Sequence, residues 1–189
     1  MIRLFLIRHG EPEAVWGGGA DDPGLSAAGQ RQAEAAAEAL EERGWLEVFS
    51  SPMRRCRETA APYAGGAGRS FTIEPRVSEV LSPPDAPDRR AWLLENFPWR
   101  GGGLRFWSTL GPELHAWRAD MLGFVRGLGQ DCAVFTHFIA INVIVGAALR
   151  RDETIICKPA YASITELTVE RDALTLVSLG EEMQTGEVR

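Results

Sequence analysis

Short apolar runs alternate along the chain with longer stretches of good helix formers. The apolar run from Ile2 to Ile7 predicts a buried first strand. The stretch from Ala27 to Arg43 is rich in Ala, Glu, Gln and Leu, follows Ser26 as an N-cap and stops before Gly44, which predicts a helix. The repeated alternation predicts an α/β fold, a three-layer α/β/α sandwich with a mostly parallel central sheet.

The remaining elements follow from the same patterns. Strands are expected at Leu46 to Ser50, Phe71 to Glu74 and Cys132 to Thr136, with a closing hairpin formed by Ser163 to Val169 and Ala173 to Leu179. Further helices are expected from Ser51-Pro52 to about Tyr63, from a cap near Thr109 to Pro112 to about Gly127, and from Ile139 to Leu149.

The segment from Ser82 to Gly103 differs in composition from the rest of the chain. It is rich in Pro, Arg, Trp and Gly, which predicts an irregular insertion rather than a second core. A flexible loop is expected from Gly17 to Gly24. We therefore expect one domain, residues 1–189, with a short irregular lid-like insertion at residues 82–105.

Composition narrows the class of partner. With 189 residues, of which 45% are hydrophobic, the chain can bury one substantial core, and a net charge of -6 argues against nucleic-acid binding. The apolar run from Cys132 to Leu149 contains polar residues and is interpreted as a buried strand and helix, not a membrane span. Three cysteines without zinc or disulfide spacing, and an N-terminus without secretory features, lead us to expect a cytoplasmic protein.

The triplet Arg8-His9-Gly10 directly follows the first predicted strand, where α/β proteins place their ligands. Neighbouring arginines should lower the pKa of His9 and favour its neutral, nucleophilic form. Gly10 would let the backbone pass close to a phosphate group. The triplet alone is equally compatible with an ordinary histidine at the end of a strand.

A second polar cluster runs from Ser50 to Ala60, where a predicted strand leads into the start of a helix, a place that favours anions. Neighbouring residues on a helix diverge by about 100°, so Arg54, Arg55 and Arg57 cannot all face one site. Arg57 is expected on the solvated helix surface, and the orientation of Arg54 stays open.

His137 follows the predicted strand Cys132 to Thr136. Its imidazole could donate a hydrogen bond to a phosphate oxygen, on which charge accumulates during phosphoryl transfer. His115 lies in a predicted helix near Trp117, and we expect it to pack there or to lie on the surface.

Together these motifs resemble the histidine phosphatase superfamily, also called the phosphoglycerate mutase-like family. The matching segments follow the family order over nearly the whole chain: Arg8-His9-Gly10-Glu11, Asp22-Pro23-Gly24-Leu25-Ser26 with Gly29-Gln30 and Gln32-Ala33, Ser50-Ser51-Pro52 with Arg55 and Thr59-Ala60, and Thr136-His137. The resemblance implies that His9 becomes transiently phosphorylated and that Arg8, Arg55 and His137 form the phosphate pocket. It also implies that no metal or other cofactor takes part.

The resemblance further implies an acid that protonates the leaving oxygen. Arg76-Val77-Ser78-Glu79 is similar to the family segment that carries this acid, so Glu79 is the candidate. Burial near a phosphate would raise the pKa of such a carboxyl and keep it protonated. Glu11, adjacent to the triplet, is the alternative.

The chain departs from the family pattern at two places. Pro12-Glu13-Ala14-Val15 replace the Ser or Thr and the later Asn that many members use to hold phosphate, so those contacts are not carried over. Phe138 and Ile139 follow His137 where small residues are common, and Phe138 is therefore expected to reshape the pocket and to contact the substrate.

The function expected from these residues is hydrolysis of a small phosphorylated metabolite. The short insertion favours a hydrolase over a mutase, and a phosphate- or phosphoprotein-binding module without turnover is the other alternative. Groups in or beside the insertion could contact an anionic substrate or form apolar walls, although surface exposure and ordinary packing explain them as simply: Arg89, Arg90, Arg100, Arg105, Trp92, Trp99 and Trp107.

Overall fold

The computed structural model describes residues 1–13, 22–66, 68, 70–84, 86–101 and 103–183. Six strands are present in these ranges: β1 Ile2–Arg8, β2 Glu47–Ser50, β3 Thr72–Ile73, β4 Cys132–Thr136, β5 Ile164–Glu170 and β6 Ala173–Ser178. Five α-helices accompany them: α1 Ala27–Glu41, α2 Arg54–Gly66, α3 Arg89–Asn96, α4 Pro112–Arg126 and α5 Phe138–Leu149. Most lie within a few residues of the positions that the sequence predicts.

The strands form one sheet in the order β3-β2-β4-β1-β5-β6. The four strands β1, β2, β3 and β4 are parallel to one another. The hairpin of β5 and β6 adds two antiparallel strands beside β1. In this register Arg8 lies opposite Thr136, and Ser50 lies opposite Phe135. The carboxyl ends of β1, β2 and β4 therefore lie side by side at one end of the strands, as predicted for a mostly parallel α/β fold.

Helices cover both faces of the sheet because the side chains of β1 point alternately to each face. Leu4 and Leu6 pack with the apolar residues of α4 and α5, whereas Phe5 and Ile7 pack with those of α1 and α2. The three-layer arrangement predicted from the sequence is confirmed. Within the described ranges, no helix combines the length and apolar character needed to cross a membrane.

The ends of α1 follow the predicted signals. The side chain of Ser26 accepts a hydrogen bond from the N–H of Gly29 at 3.0 Å, which satisfies a free donor of the first turn. The helix ends at Glu41, and Gly44 adopts a φ of 89°, a left-handed conformation that glycine tolerates best. α2 begins at Arg54 rather than at Pro52, because the Asp22 carboxylate accepts the Arg54 N–H at 2.8 Å.

The prediction that the insertion is irregular is partly wrong, because the insertion contains α3. The Asp88 carboxylate accepts the N–H groups of Arg90 and Ala91 at 2.8 and 3.0 Å and so begins this helix. Side chains in or beside the segment then enter the core rather than form open apolar walls: Leu93, Phe97, Trp99 and Trp107. Most of the loop predicted from Gly17 to Gly24 lies outside the described residues.

Candidate active site

His9 lies directly after β1 and is almost completely buried. Its Nδ1 lies 2.8 Å from the carbonyl oxygen of Gly10, which can only accept a hydrogen bond. Nδ1 therefore carries the proton, and Nε2 keeps a free lone pair. Burial, followed by the charges of Arg55 and Arg8, holds the pKa of His9 well below its usual value. The ring is thus a neutral nucleophile near pH 7.

The loop after His9 is held by a close approach of two glycines. The N–H of Gly10 donates to Thr59 at 2.9 Å, and a side chain at Gly10 would come within 2.6 Å of the Gly29 carbonyl oxygen. A side chain at Gly29 would collide with the carbonyl oxygen of Glu11. α1 and α2 therefore fix the position of the backbone that orients His9.

Two buried guanidinium groups lie near His9. Arg8 donates through Nη1 to the Pro159 carbonyl oxygen at 2.8 Å, but its Nε and Nη2 have no partner, and the Nε of Arg55 also has none. Burial is the largest influence on the pKa of Arg8 and lowers it to about 10, so the group is still charged at neutral pH. Buried donors without partners are costly. Their presence here indicates a site for an anion.

His137 is the N-cap residue of α5 and has the opposite tautomer to His9. Arg55 donates through Nη2 to Nδ1 of His137 at 3.2 Å, so the proton of this imidazole lies on Nε2, which donates to Ser51 Oγ at 2.8 Å. Burial, then Arg55 and Arg8, lowers the pKa of His137. The rings of His9 and His137 are 5.3 Å apart between centroids. His137 is therefore a neutral hydrogen-bond donor beside the nucleophile.

Glu79 is buried and lies against the amino end of α5. Its Oε2 accepts the Ile139 N–H at 3.0 Å, and its Oε1 accepts the Val80 N–H at 3.1 Å. Burial raises the pKa of this carboxyl, although both N–H groups and the charges of Arg55 and Arg8 oppose the effect. Glu79 is thus a buried carboxyl that takes up a proton more readily than an ordinary glutamate.

Glu11, the alternative acid, has a different environment. Its Oε1 accepts a hydrogen bond from Ser26 Oγ at 3.1 Å, and its N–H donates to the side chain of Gln32 at 2.8 Å. Both contacts tie Glu11 to the start of α1. The geometry therefore favours Glu79 as the group that faces the two arginines.

Arg54, Arg57 and the third histidine are exposed, unlike the side chains of this cluster. Arg54 forms an ion pair with Glu58 at 2.7 Å and is exposed, and Arg57 is exposed as the sequence predicts. His115 lies on the exposed face of α4. Of the three neighbouring arginines, Arg55 alone is buried at the site.

Phe138 is only 2% exposed, and its ring is already in contact with two other groups. The guanidinium carbon of Arg8 lies 5.2 Å from the centre of the Phe138 ring, and the centre of the Trp99 ring lies 6.4 Å from it. Phe138 therefore supports Arg8 from one side. Its predicted contact with a substrate stays a prediction.

Tyr161 was not singled out by the sequence, yet its ring centre lies 4.0 Å from the guanidinium carbon of Arg8. It precedes β5, which runs antiparallel to β1, so the amino end of β5 meets the carboxyl end of β1. Only that antiparallel pairing could have revealed the contact. The side chains within the described ranges include no cluster of three or more His, Cys, Asp or Glu that could hold a metal ion.

Residues 4–83 match the model of the histidine phosphatase superfamily (branch 1). A probable phosphoglycerate mutase GpmB of Yersinia enterocolitica is 29% identical over 132 residues, and the same protein of Yersinia pestis (strain Pestoides F) is 28% identical over 132 residues. Each match covers 67% of this chain and 53% of the relative. The chain thus spans about half the length of these curated relatives.

Solved structures share the fold over almost the whole chain. The mycobacterial glucosyl-3-phosphoglycerate phosphatase Rv2419c has a TM-score of 0.74 at 22% identity, with 97% of this chain and 100% of that chain covered. A phosphoserine phosphatase mutant of Entamoeba histolytica has a TM-score of 0.70 at 18% identity, with 95% and 96% covered. Residues 4–83 of this chain, which contain His9, are thus similar to the histidine phosphatase superfamily, and the shared fold extends over almost the whole chain.

Proposed function

We propose that this chain is a phosphomonoester hydrolase that acts on a small phosphorylated metabolite through a phosphohistidine intermediate. The proposal is carried by one arrangement: the free Nε2 lone pair of His9 lies among buried arginine N–H groups that have no partner. A phosphate dianion satisfies those donors, and His9 supplies a nucleophile for its phosphorus atom.

In the first step, the Nε2 lone pair of His9 attacks phosphorus while the bond to the ester oxygen breaks. The leaving oxygen takes the proton of Glu79, which leaves a carboxylate and a phosphoryl group on Nε2. The positive charge that develops on the imidazole is stabilised by its Nδ1–H bond to Gly10. The unpartnered donors of Arg8 and Arg55 stabilise the phosphoryl oxygens, on which negative charge is spread. His137 joins them once its Nε2–H turns from Ser51 Oγ to the phosphoryl group.

In the second step, water attacks the phosphorus atom and the bond to Nε2 breaks, with its electrons returning to the ring. The Glu79 carboxylate accepts the proton of the water and regains the state in which the cycle began. Inorganic phosphate then leaves. In this scheme the groups of the chain perform every proton transfer, and no metal or organic cofactor takes part.

The comparisons support a phosphatase without naming its substrate. The proteins of similar fold include a glucosyl-3-phosphoglycerate phosphatase and a phosphoserine phosphatase, whereas the curated relatives are called probable phosphoglycerate mutases. A mutase would return the phosphoryl group to an acceptor, so release of inorganic phosphate separates the two functions. A binding module would release none.

The three cysteines bear on the proposed location. Cys56, Cys132 and Cys157 are all free and buried. Free thiols are typical of a reducing compartment, and we propose the cytoplasm on this basis.

The proposed function is tested by hydrolysis of p-nitrophenyl phosphate in the presence of EDTA. We expect phosphate release by the parent protein and a loss of at least about a thousandfold in kcat in His9→Ala, because the nucleophile is removed. His115→Ala, on the exposed face of α4, is the matched control and should keep the parent rate. Equal rates in the parent and His9→Ala would refute the proposal.

A further inference from the structure

The segment after β6 pairs with the segment before β5. The N–H of Ala160 donates to the carbonyl oxygen of Glu181 at 2.7 Å, and the N–H of Met183 donates to that of Lys158 at 2.8 Å. The N–H of Lys158 in turn donates to the carboxylate of Glu182 at 2.7 Å. These three bonds fix the place of Met183 beside the segment before β5.

Met183 contacts a buried arginine of the site. Nη1 of Arg8 donates to Sδ of Met183 at 3.1 Å and to the carbonyl oxygen of Pro159 at 2.8 Å. Pro159 lies in the segment that pairs with Met183, so both acceptors belong to the same pair of segments. Met183 is half-buried and packs against the apolar core. The segment after β6 therefore reaches the guanidinium that lies near the nucleophile.

Neither acceptor of Nη1 carries a charge. Buried charged groups are usually paired, because an unpaired charge is costly away from water. Arg8 is completely buried, yet its Nη1 binds a thioether and a carbonyl oxygen, and its Nε and Nη2 have no partner. A neutral acceptor orients the guanidinium without neutralising it. The charge and two donor groups of Arg8 therefore stay available for an anion.

We infer that Met183 is a positioning residue for phosphate binding: its sulfur holds Nη1 of Arg8, which leaves Nε and Nη2 for the phosphoryl oxygens. The inference rests on the proposed function, in which Arg8 binds the transferred group. Met183 acts through Arg8 and not on the substrate itself. Because a thioether is a weak acceptor, its contribution is that of one modest hydrogen bond.

A methionine that only fills space would respond differently to substitution. Leucine is apolar and close to methionine in volume, and such a replacement costs little stability. It lacks the sulfur, whereas glutamine offers an uncharged oxygen. Glutamate has the shape of glutamine, but its carboxylate would pair with Arg8 and compete with phosphate. Three substitutions at position 183 therefore separate volume, acceptor and charge.

Isothermal titration calorimetry with inorganic phosphate measures these effects. Met183→Leu should bind phosphate about three- to tenfold more weakly than the parent, the size of one hydrogen bond. Met183→Gln should stay within about twofold of the parent, because it restores an uncharged acceptor. Met183→Glu should bind at least about tenfold more weakly than Met183→Gln, because the new carboxylate occupies Arg8.

The matched control is Met121→Leu, which makes the same change at a buried methionine in α4 and should keep the parent affinity. Far-UV circular dichroism checks that every variant is folded. Equal affinities in the parent and Met183→Leu would overturn the inference. Equally weak binding by Met183→Leu and Met183→Gln would overturn it too, because shape alone would then matter.

Equal binding by Met183→Gln and Met183→Glu would show that the side chain does not reach Arg8, and a parent that binds no phosphate would leave nothing to position. Both results contradict the inference. Its outcome is separable from that of the proposed function. Hydrolysis by the parent with unchanged phosphate binding in Met183→Leu would refute the role of Met183 alone. The expected order of affinities in a protein that forms no phosphohistidine would refute the hydrolase and keep Met183 as a positioning residue of an anion site.

Discussion

At the scale of single residues, the site depends on two histidines held in opposite tautomers. The carbonyl oxygen of Gly10 fixes the proton of His9 on Nδ1, whereas the guanidinium of Arg55 fixes that of His137 on Nε2. A carbonyl can only accept and a guanidinium can only donate, so each partner leaves one choice. The His9 imidazole therefore presents a lone pair to the site, whereas the His137 imidazole directs its N–H to Ser51 Oγ.

The role of Glu79 is tested by Glu79→Gln, which cannot deliver a proton. With an alkyl phosphate, whose leaving oxygen requires protonation, we expect kcat to fall about a hundredfold or more. With p-nitrophenyl phosphate, whose p-nitrophenolate is a much better leaving group, the rate of the first step should fall far less. Glu11→Gln, which alters a carboxyl that accepts a hydrogen bond from Ser26, should show no such dependence on the leaving group. Equal losses of kcat/KM, which reports the steps up to departure of the leaving group, with both substrates in Glu79→Gln would remove Glu79 as the acid.

The buried histidines should make stability depend on pH. Because the pKa of His9 is lowered in the folded protein, the unfolded state binds more protons below about pH 6.5, and the free energy of unfolding falls as pH falls. When the pH is lowered from 7.5 to 5.5, the free energy of unfolding should fall less in His9→Gln than in the parent, by up to about 1.4 kcal/mol. Urea unfolding at both pH values measures this difference. His115→Gln should match the parent; an identical loss in His9→Gln would contradict this account.

At the scale of elements, the site depends on how closely α1 approaches the loop after β1. A Cβ atom at Gly29 would collide with the Glu11 carbonyl oxygen, and one at Gly10 would come within 2.6 Å of the Gly29 carbonyl oxygen. Both positions therefore require glycine because two backbones meet there, and neither has a positive φ. The contact sets the direction in which the Gly10 carbonyl faces His9.

Gly29→Ala should displace this loop. We expect a loss of about 1–3 kcal/mol in the free energy of unfolding, because a rigid backbone cannot make room, together with lower turnover. Gly65→Ala in α2 is the matched control: nothing lies within 4 Å of its Cβ, so stability should be unchanged or higher. Chemical denaturation of both variants measures the difference, and equal stability would show that the loop yields without cost.

The elements that the sequence predicts well are those with a strong local signal. β1 and β4 are mostly apolar, and α1 carries its own cap at Ser26. α3 was missed because its eight residues lie within a segment rich in proline, arginine and glycine, which hides the Asp88 cap. Local composition does not show which apolar residues of a short segment reach the core.

The sequence predicts those site residues that come shortly after the carboxyl ends of parallel strands. His9, Arg55 and His137 come after parallel strands, and the structure brings them together. Tyr161 could not be found in this way, because its position depends on the antiparallel pairing of β5 with β1. The tautomers also required the structure, since they depend on hydrogen-bond partners that the sequence does not specify.

At the scale of the whole molecule, we propose that the insertion and the sheet form one cooperative unit. Phe97 packs against Trp107 with their ring centres 5.8 Å apart, and Trp107 stacks on Trp117 of α4 at 6.3 Å. Trp99 meets Phe138 of α5 directly after His137. The insertion therefore shares the core of the domain and supports the site through Phe138.

A single cooperative unit predicts coincident unfolding transitions. Four of the six tryptophans lie in or against the cluster that joins the insertion to α4 and α5: Trp92, Trp99, Trp107 and Trp117. In urea, tryptophan fluorescence should therefore change at the same midpoint as far-UV circular dichroism. A fluorescence transition at clearly lower urea would show that the insertion unfolds separately.

In the proposed mechanism, the phosphoryl group passes through His9. This transfer is tested most directly by mixing the protein with p-nitrophenyl phosphate, quenching in alkaline denaturant and locating phosphorylated residues by mass spectrometry. We expect an acid-labile phosphoryl group on Nε2 of His9 that is absent from His9→Ala and accumulates in Glu79→Gln, in which no carboxylate can activate water. Turnover by the parent without modification of His9, or with modification of another residue, would contradict this mechanism.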